Sequence, residues 1–366
     1  LQERHRSAGA VLRQGDDPRV VTYGDVPAEY RAGCEGAALF DRTGRGSIDV
    51  VGPDAAVFLH RLLANTVRTL KPGEGNRNLL LSSRGKVLAI FDLQRGEDAV
   101  RLSTEPGATT GLLGALDTYL FAEKLKLVDR TELSAPLDLA GPQARALAEK
   151  LLGARLPDED RAWIDVDFRG GAVRASTQIV AGSPGVRLDG GPTLVVELWN
   201  SLRELGATPA GLAAEDSLRA EACFAEPGVD VDENVYPQEA RLERAFRLDK
   251  GCFIGQEVVA KIDTYGGLNK RLVALRLSDD EPRARGTRLS RREPDARLDE
   301  GEWRDLGVIT TWAYSFVLDT GLVLAFVKRR HQAPGTEFRV GEGPATATVV
   351  QSPVRASAVE VTGERE

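Results

Sequence analysis

From Lys270 onward the chain holds only short strand-like runs separated by turns, and this change of character limits the fold more than any other feature of the sequence. Residues 272–277, 307–310, 322–327 and 338–340 are apolar or alternating runs of strand length, the pattern of a small β-barrel. Ahead of Lys270 two periodicities take turns. Residues 46–51 alternate like a strand, and Gly52-Pro53-Asp54 then opens a helix with Val57, Phe58, Leu62 and Leu63 on its apolar side. Residues 78–81 and 87–91 flank the small and glycine residues of 82–86, as in a hairpin, and a further strand is expected at 99–102. Ala144, Leu147, Ala148 and Leu151 predict a helix that stops at Gly153, and a second helix is expected from Thr193 to Leu205, before Gly206. The expected class is α+β. At 366 residues and 42% hydrophobic content, the chain can bury cores for two or three such domains.

The remaining composition excludes several function classes. A formal charge of −7 argues against a nucleic-acid partner, which needs concentrated Lys and Arg. The arginine-rich stretch Arg283, Arg285, Arg288, Arg291, Arg292 and Arg297 is broken by Pro282, Gly286 and Pro294 and reads as a long solvated loop of the terminal domain. No apolar run approaches membrane-spanning length, and Leu1-Gln2-Glu3-Arg4-His5-Arg6 lacks the apolar core of a signal peptide, so a cytoplasmic protein without a membrane partner is expected. Cys34, Cys223 and Cys252 are odd in number and far apart, the pattern of free thiols. His5, His60 and His331 stand apart from one another and from any Cys pair, so no metal-ligand spacing exists. Neither a P-loop nor a nucleophile elbow is present.

One cysteine is set apart by its surroundings. Lys250-Gly251-Cys252-Phe253-Ile254-Gly255-Gln256-Glu257 puts a thiol between two glycines, ahead of a helix expected to begin near Gly255 or Gln256 and to run through Val258, Val259 and Ile262. The helix dipole and the Lys250 charge both favour a thiolate, the form that attacks electrophiles or binds metal.

The same octapeptide resembles the KGCxxGQE motif of the YgfZ family, tetrahydrofolate-binding proteins related to the aminomethyltransferase (T-protein) of the glycine cleavage system. Leu218-Arg219-Ala220-Glu221-Ala222 is similar to the superfamily's LRxEAG segment, and Tyr236-Pro237-Gln238-Glu239-Ala240 to its xPxEA segment. Leu39-Phe40-Asp41 and Val51-Gly52-Pro53-Asp54-Ala55 resemble its opening elements. The resemblance implies a three-module ring around a central opening that holds folate. Residues 1–269 would form the folate-binding region, with a discontinuous first module (about 1–50 and 136–269) and a second module (about 51–135), and residues 270–366 the barrel.

Departures from the T-protein pattern bear on chemistry. The position of the aspartate that steers proton transfer in T-proteins is Ala89, followed by Ile90, while Asp92 lies on the opposite face of the expected strand. Gly44 stands where the family motif has histidine, and Ser183 where it has an acidic pterin contact. Cys252 stands where T-proteins carry an acid. The resemblance thus implies a folate-binding protein that supports iron–sulfur cluster assembly or repair, with Cys252 as its working thiol and tetrahydrofolate or a one-carbon derivative as its cofactor. Its partners would be iron–sulfur client or assembly proteins. The enzyme alternative is tetrahydrofolate-dependent aminomethyl transfer or demethylation; a folate-responsive scaffold without catalysis is the third. Arg219, Glu221, Glu239 and Lys250 are the candidate ligand contacts, since a carboxylate can grip a pterin's adjacent donors and a cation its glutamyl tail.

Overall fold

A computed structural model describes residues 1–13, 19–295 and 298–359. Its two large sheets, a two-stranded ribbon of Val11–Leu12 with Val20–Thr22, and a closed barrel, together with the helices, make an α+β fold. The six-stranded sheet runs in the order Trp163–Phe168, Gly171–Val180, Ser183–Asp189, Pro136–Ala140, Ala38–Asp41, Thr208–Pro209, antiparallel except for the last pair. It is therefore assembled from both sides of a long insertion. That insertion contains the five-stranded antiparallel sheet, ordered Gly75–Leu81, Val87–Arg95, Ala99–Thr104, Gly46–Val51, Lys126–Asp129. Residues 46–51 thus pair within the second sheet, through registers such as Ile48 with Leu102. The barrel starts at Lys270–Leu277 and closes when Leu275 pairs with Val349.

Local sequence explains these elements. The helix Ala55–Leu62 buries Ala55, Phe58, Leu59 and Leu62 against its sheet. Val57, assigned above to that apolar side, is 56% exposed, because one helical step of about 100° turns it away from the arc shared by Phe58 and Leu62. The helix Ala144–Leu152 ends where Gly153 takes a left-handed conformation, φ 63°, and the helix expected from Thr193 spans Gly191–Glu204. No described helix is long and apolar enough to cross a membrane.

The arginine-rich stretch keeps its expected loop at Arg283 and Arg285 and departs from it at Arg288. Arg288–Asp295 is a barrel strand, paired with Leu298–Ser315 through contacts such as Arg291 with Arg304. Arg292 lies 5.5 Å from the Trp303 ring centroid, and Arg339 of the neighbouring strand Glu337–Val340 lies 3.9 Å from it. Cation–π contact helps a strand with so many arginines stay in the barrel. Arg297 lies outside the described residues.

Separate apolar clusters fill the barrel and the helix-covered side of each sheet. A fourth joins all three units, with Leu79 and Ile90 from the second sheet, Phe246 and Phe253 from the segment before the barrel, and Leu272 and Leu324 from the barrel itself. Phe253 of the cysteine octapeptide is thus a core residue, and it anchors the turn that carries its neighbour.

Candidate functional site

The turn around Cys252 is held from both ends. Gly251 (φ 102°) and Gly255 (φ 79°) take left-handed conformations that suit glycine, and Gly255 forms the N-cap of the helix Gln256–Tyr265. A Cβ on Gly255 would stand 2.4 Å from the Ser82 carbonyl oxygen, so the turn lies directly on the hairpin tip. On its other side, His60 Nδ1 accepts from the Val67 amide at 3.1 Å, which leaves Nε2–H to donate to the Lys250 carbonyl at 3.1 Å. Lys250 Nζ returns a hydrogen bond to the His60 carbonyl at 2.5 Å. Between these fixed points Cys252 is exposed, while Cys223 is buried and Cys34 partly so; all three are free thiols. Burial lowers the Lys250 pKa to about 8, with the nearby Cys252 charge opposing that shift.

A cavity of about 330 Å³ opens between the first two units, and none of the octapeptide's residues lines it. Its apolar wall includes Leu70, Ile179, Phe224 and Leu242, and its polar groups include Asn65, Asn76 and the guanidinium groups of Arg77, Arg161, Arg241, Arg244 and Arg247. Arg247 leads into the octapeptide, and the carbonyl of Arg244 accepts from Asn65 Nδ2 at 3.1 Å. An apolar slot whose charged rim is five arginines and the single acid Asp160, itself paired with Arg161, fits a flat heterocycle bearing a carboxylate tail. The sequence reading missed these arginines. The signal was present as the spacing Arg241, Arg244, Arg247 between Glu239 and Lys250.

The other candidates sit within the protein's own bonding. Arg219 is 3% exposed; it binds Asp230 at 2.7 Å, Asp216 at 2.7 Å and the Thr311 hydroxyl at 3.0 Å. Glu221 is fully buried and accepts from the Tyr30 hydroxyl (2.5 Å), the Ser315 hydroxyl (2.7 Å) and the Val317 amide (3.2 Å). The two residues share one helix but point to different partners. Glu239 accepts from the Tyr236 amide at 2.9 Å and lies 3.9 Å from Lys86 Nζ. Ser183 is buried, and its hydroxyl faces the Gly33 carbonyl at 3.4 Å. None of these four lines the arginine-rimmed cavity.

Asp92 is no replacement for the missing carboxylate at Ala89. It lies between the two sheets, where Arg161 Nε donates at 2.6 Å, Arg187 Nη1 at 3.2 Å and Arg77 Nε at 3.4 Å, with Arg45 at 4.0 Å. Burial raises its pKa, but these guanidinium groups outweigh burial and hold the carboxyl well below the ordinary range. A carboxylate fixed in its ionised form is a poor proton carrier at neutral pH.

A larger cavity of about 1250 Å³ is bordered by all three units, through Arg42, Glu105 and Thr310 among others. Glu226 lines it, 3.1 Å from Arg219 and 3.7 Å from Arg19. Burial pushes its carboxyl up to about 7; Arg219 opposes that rise, and Glu215 and Asp216 add to it. The folded state therefore holds this proton more tightly than the unfolded chain, whose glutamate titrates near ~4.3, and the group costs stability as pH rises between those values. Glu226→Gln is expected to stabilise by ~1–2 kcal/mol at about pH 8 and to be neutral at about pH 5, measured by urea unfolding at both. An equal gain at both would contradict the assignment.

Two family models match the chain: the GCVT N-terminal domain over residues 1–250, and the glycine cleavage T-protein C-terminal barrel domain over residues 270–354. An aminomethyltransferase of Herpetosiphon aurantiacus is 31% identical over 359 residues, covering 96% of this chain and 96% of its own. One of Rubrobacter xylanophilus is 30% identical over 357 residues, covering 96% and 92%. The crystal structure of glycine cleavage system aminomethyltransferase T from Bartonella henselae shares the fold, with a TM-score of 0.83 at 24% identity and 98% of each chain covered.

Proposed function

Because this chain belongs to the glycine cleavage T-protein family, we propose that it binds a tetrahydrofolate-type cofactor in the arginine-rimmed cavity and acts through Cys252 in iron–sulfur cluster assembly or repair in the cytoplasm, the role of the YgfZ branch. The observation that carries this reading is the exchange of reactive groups. The thiol of Cys252 is exposed on a turn flanked by two glycines, while the proton-steering carboxylate is replaced by Ala89 and Asp92 is locked among arginines. Leu70, Ile179 and Phe224 would flank the ring system, and Arg244 and Arg247, both exposed, would meet the glutamyl carboxylates. Arg219, Glu221 and Glu239 would hold the surrounding wall. When bound, the folate would supply or accept a one-carbon unit.

A second reading, folate-dependent aminomethyl transfer, is favoured by the names of the full-length relatives. The absent carboxylate weighs against it.

Calorimetry with tetrahydrofolate is expected to show binding that weakens about tenfold or more in the Arg244→Ala, Arg247→Ala double variant, the scale of losing charge-assisted hydrogen bonds. Absence of any binding heat would remove the folate assignment. Cys252→Ser, at an exposed position, is expected to leave unfolding unchanged and to abolish rescue of an iron–sulfur-deficient strain. Full rescue by that variant would instead support a folate-responsive scaffold. Methylene transfer from aminomethyl-lipoyl carrier protein at a substantial rate would favour the second reading.

A further inference from the structure

We infer that the outer wall of the barrel carries a further ligand site, a cavity of about 320 Å³ that takes a small organic phosphomonoester, with the phosphate on Lys270 and Lys328 and the apolar body on Phe326 and Val308. The cavity lies between the barrel and residues 230–235 of the first unit, and it shares no lining residue with the arginine-rimmed cavity. The inference is independent of the role of Cys252.

Strand register sets the geometry. Arg288 is paired with Val308 and Val308 with Phe326, which puts the three in one cross-strand row. Phe326 packs outside the barrel, in the cluster that joins all three units, while its neighbour Val327 fills the barrel interior, so the row faces outward. Lys328 lies two residues beyond Phe326 on that same face, and its direct partner in the adjoining strand is Lys270. All five residues line the cavity. Like charges set directly opposite each other in a sheet are destabilising. No described carboxylate lies within ion-pair distance of either lysine amine; the Lys270 ammonium instead stands 4.8 Å from the Phe326 ring centroid. Two facing ammonium groups with three N–H donors apiece form a seat for a multiply charged anion, whose arrival would turn their repulsion into shared attraction.

The rest of the lining narrows the ligand class. Arg285 and Arg288 bring the cations to four, against the carboxylates of Asp230, Asp232 and Asp305. Asp230 is committed to the protein, accepting from Arg219 Nη1 at 2.7 Å and from the Thr311 hydroxyl at 2.7 Å. Asp232 accepts from the Asn234 amide at 2.8 Å and Asp305 from the Ser290 hydroxyl at 2.8 Å, so each is held by its own neighbours and not by a lysine. Arg285 is partly engaged by the Gly228 carbonyl at 3.0 Å. With Asp230 neutralised by Arg219, four cations face two carboxylates, a positive excess that suits a dianion. Phe326 and Val308 on one side and Val235 on the other are apolar, and bare phosphate would leave them uncovered. A phosphate joined to a ring or short chain satisfies both halves, and the volume is that of a compact small-molecule site.

The test is binding of phenyl phosphate to the whole protein, by calorimetry at low salt, with inorganic phosphate as the bare anion. Phenyl phosphate is expected to bind about tenfold or more tighter than inorganic phosphate, and to weaken about tenfold or more in the Lys270→Gln, Lys328→Gln double variant, checked for native circular dichroism. The Arg244→Ala, Arg247→Ala double variant, altered in the other cavity, is expected to retain this binding. Without any phosphate, Lys328→Gln is expected to melt above the parent, because the facing charge is gone; phenyl phosphate should then raise the melting temperature of the parent more than that of the variant. Absence of binding, equal affinity for the two anions, or binding that survives the lysine variant overturns the inference. Binding lost in the arginine variant alone would assign the ligand to the other cavity and overturn it as well. Lys328→Gln melting at or below the parent would remove the repulsion, and with it the reason for an anion at this pair.

Discussion

Asp92→Ala is expected to lower the free energy of unfolding by about 3–5 kcal/mol, the usual cost of deleting one partner from a buried ion network. The carboxylate is 6% exposed and lies between the two sheets, with Arg161, Arg187 and Arg77 bonded to it and Arg45 at its edge. Arg187 retains Asp138 at 2.7 Å and Arg45 retains Glu105 at 2.5 Å. Arg77 keeps only the less direct charge of Glu105 and the face of the Phe224 ring, 5.5 Å away. Its charge would be left largely uncompensated in the wall of the candidate cavity. Asp92→Asn, which retains acceptor oxygen, should cost less. The pH dependence follows from the depressed pKa. The stability contributed by Asp92 is complete above its unfolded value of ~3.9 and is lost as pH falls through the lower folded value, so the variant and the parent should converge only in strong acid. Urea midpoints across acidic pH would measure this; a change under about 1 kcal/mol at neutral pH would show the arginines to be solvated rather than held.

The second large effect is expected at Glu221. Its two oxygens join its own helix to three other parts of the chain: Tyr30 in the helix Val26–Glu35, Ser315 and Val317 at the end of a barrel strand, and Arg355 at 3.7 Å in the C-terminal segment. Glu221→Ala would strand the Arg355 guanidinium, which is 3% exposed, and leave two hydroxyls without their acceptor, again a loss of about 3–5 kcal/mol. The bonds lost cross from the first unit to the barrel, so the damage should be directional. Limited proteolysis is expected to cut between residues 265 and 270, ahead of the barrel, well before either sheet is digested. Uniform digestion of the whole chain would speak against this role. If instead Glu221 contacted ligand directly, its replacement would weaken folate binding without changing the protease pattern.

Much of the fold was legible because its signals are local. The barrel follows from period-two runs after Lys270, the helix Ala144–Leu152 from its apolar spacing and Gly153, and the turn at Cys252 from its glycines. The site was less legible because its wall is assembled from afar. Asp92 meets Arg187 across 95 positions and Glu221 meets Tyr30 across 191, and neither pairing leaves a periodic trace. Charge spacing misled at Arg288–Asp295, where arginines and a proline suggested a loop while aromatic cover from Trp303 supports a strand. Burial, which decides whether Arg219 and Glu221 bind ligand or protein, depends on neighbours that local pattern does not reveal.

The seating of Gly255 against Ser82 determines how any exchange at position 252 must take place. With its flank pressed onto a neighbouring hairpin and Phe253 planted in apolar packing, the sulfur is a fixed post and not a swinging arm. Cargo must therefore be delivered to it, and a donor whose reactive centre is recessed would need to carry that centre outward on a mobile tether of its own.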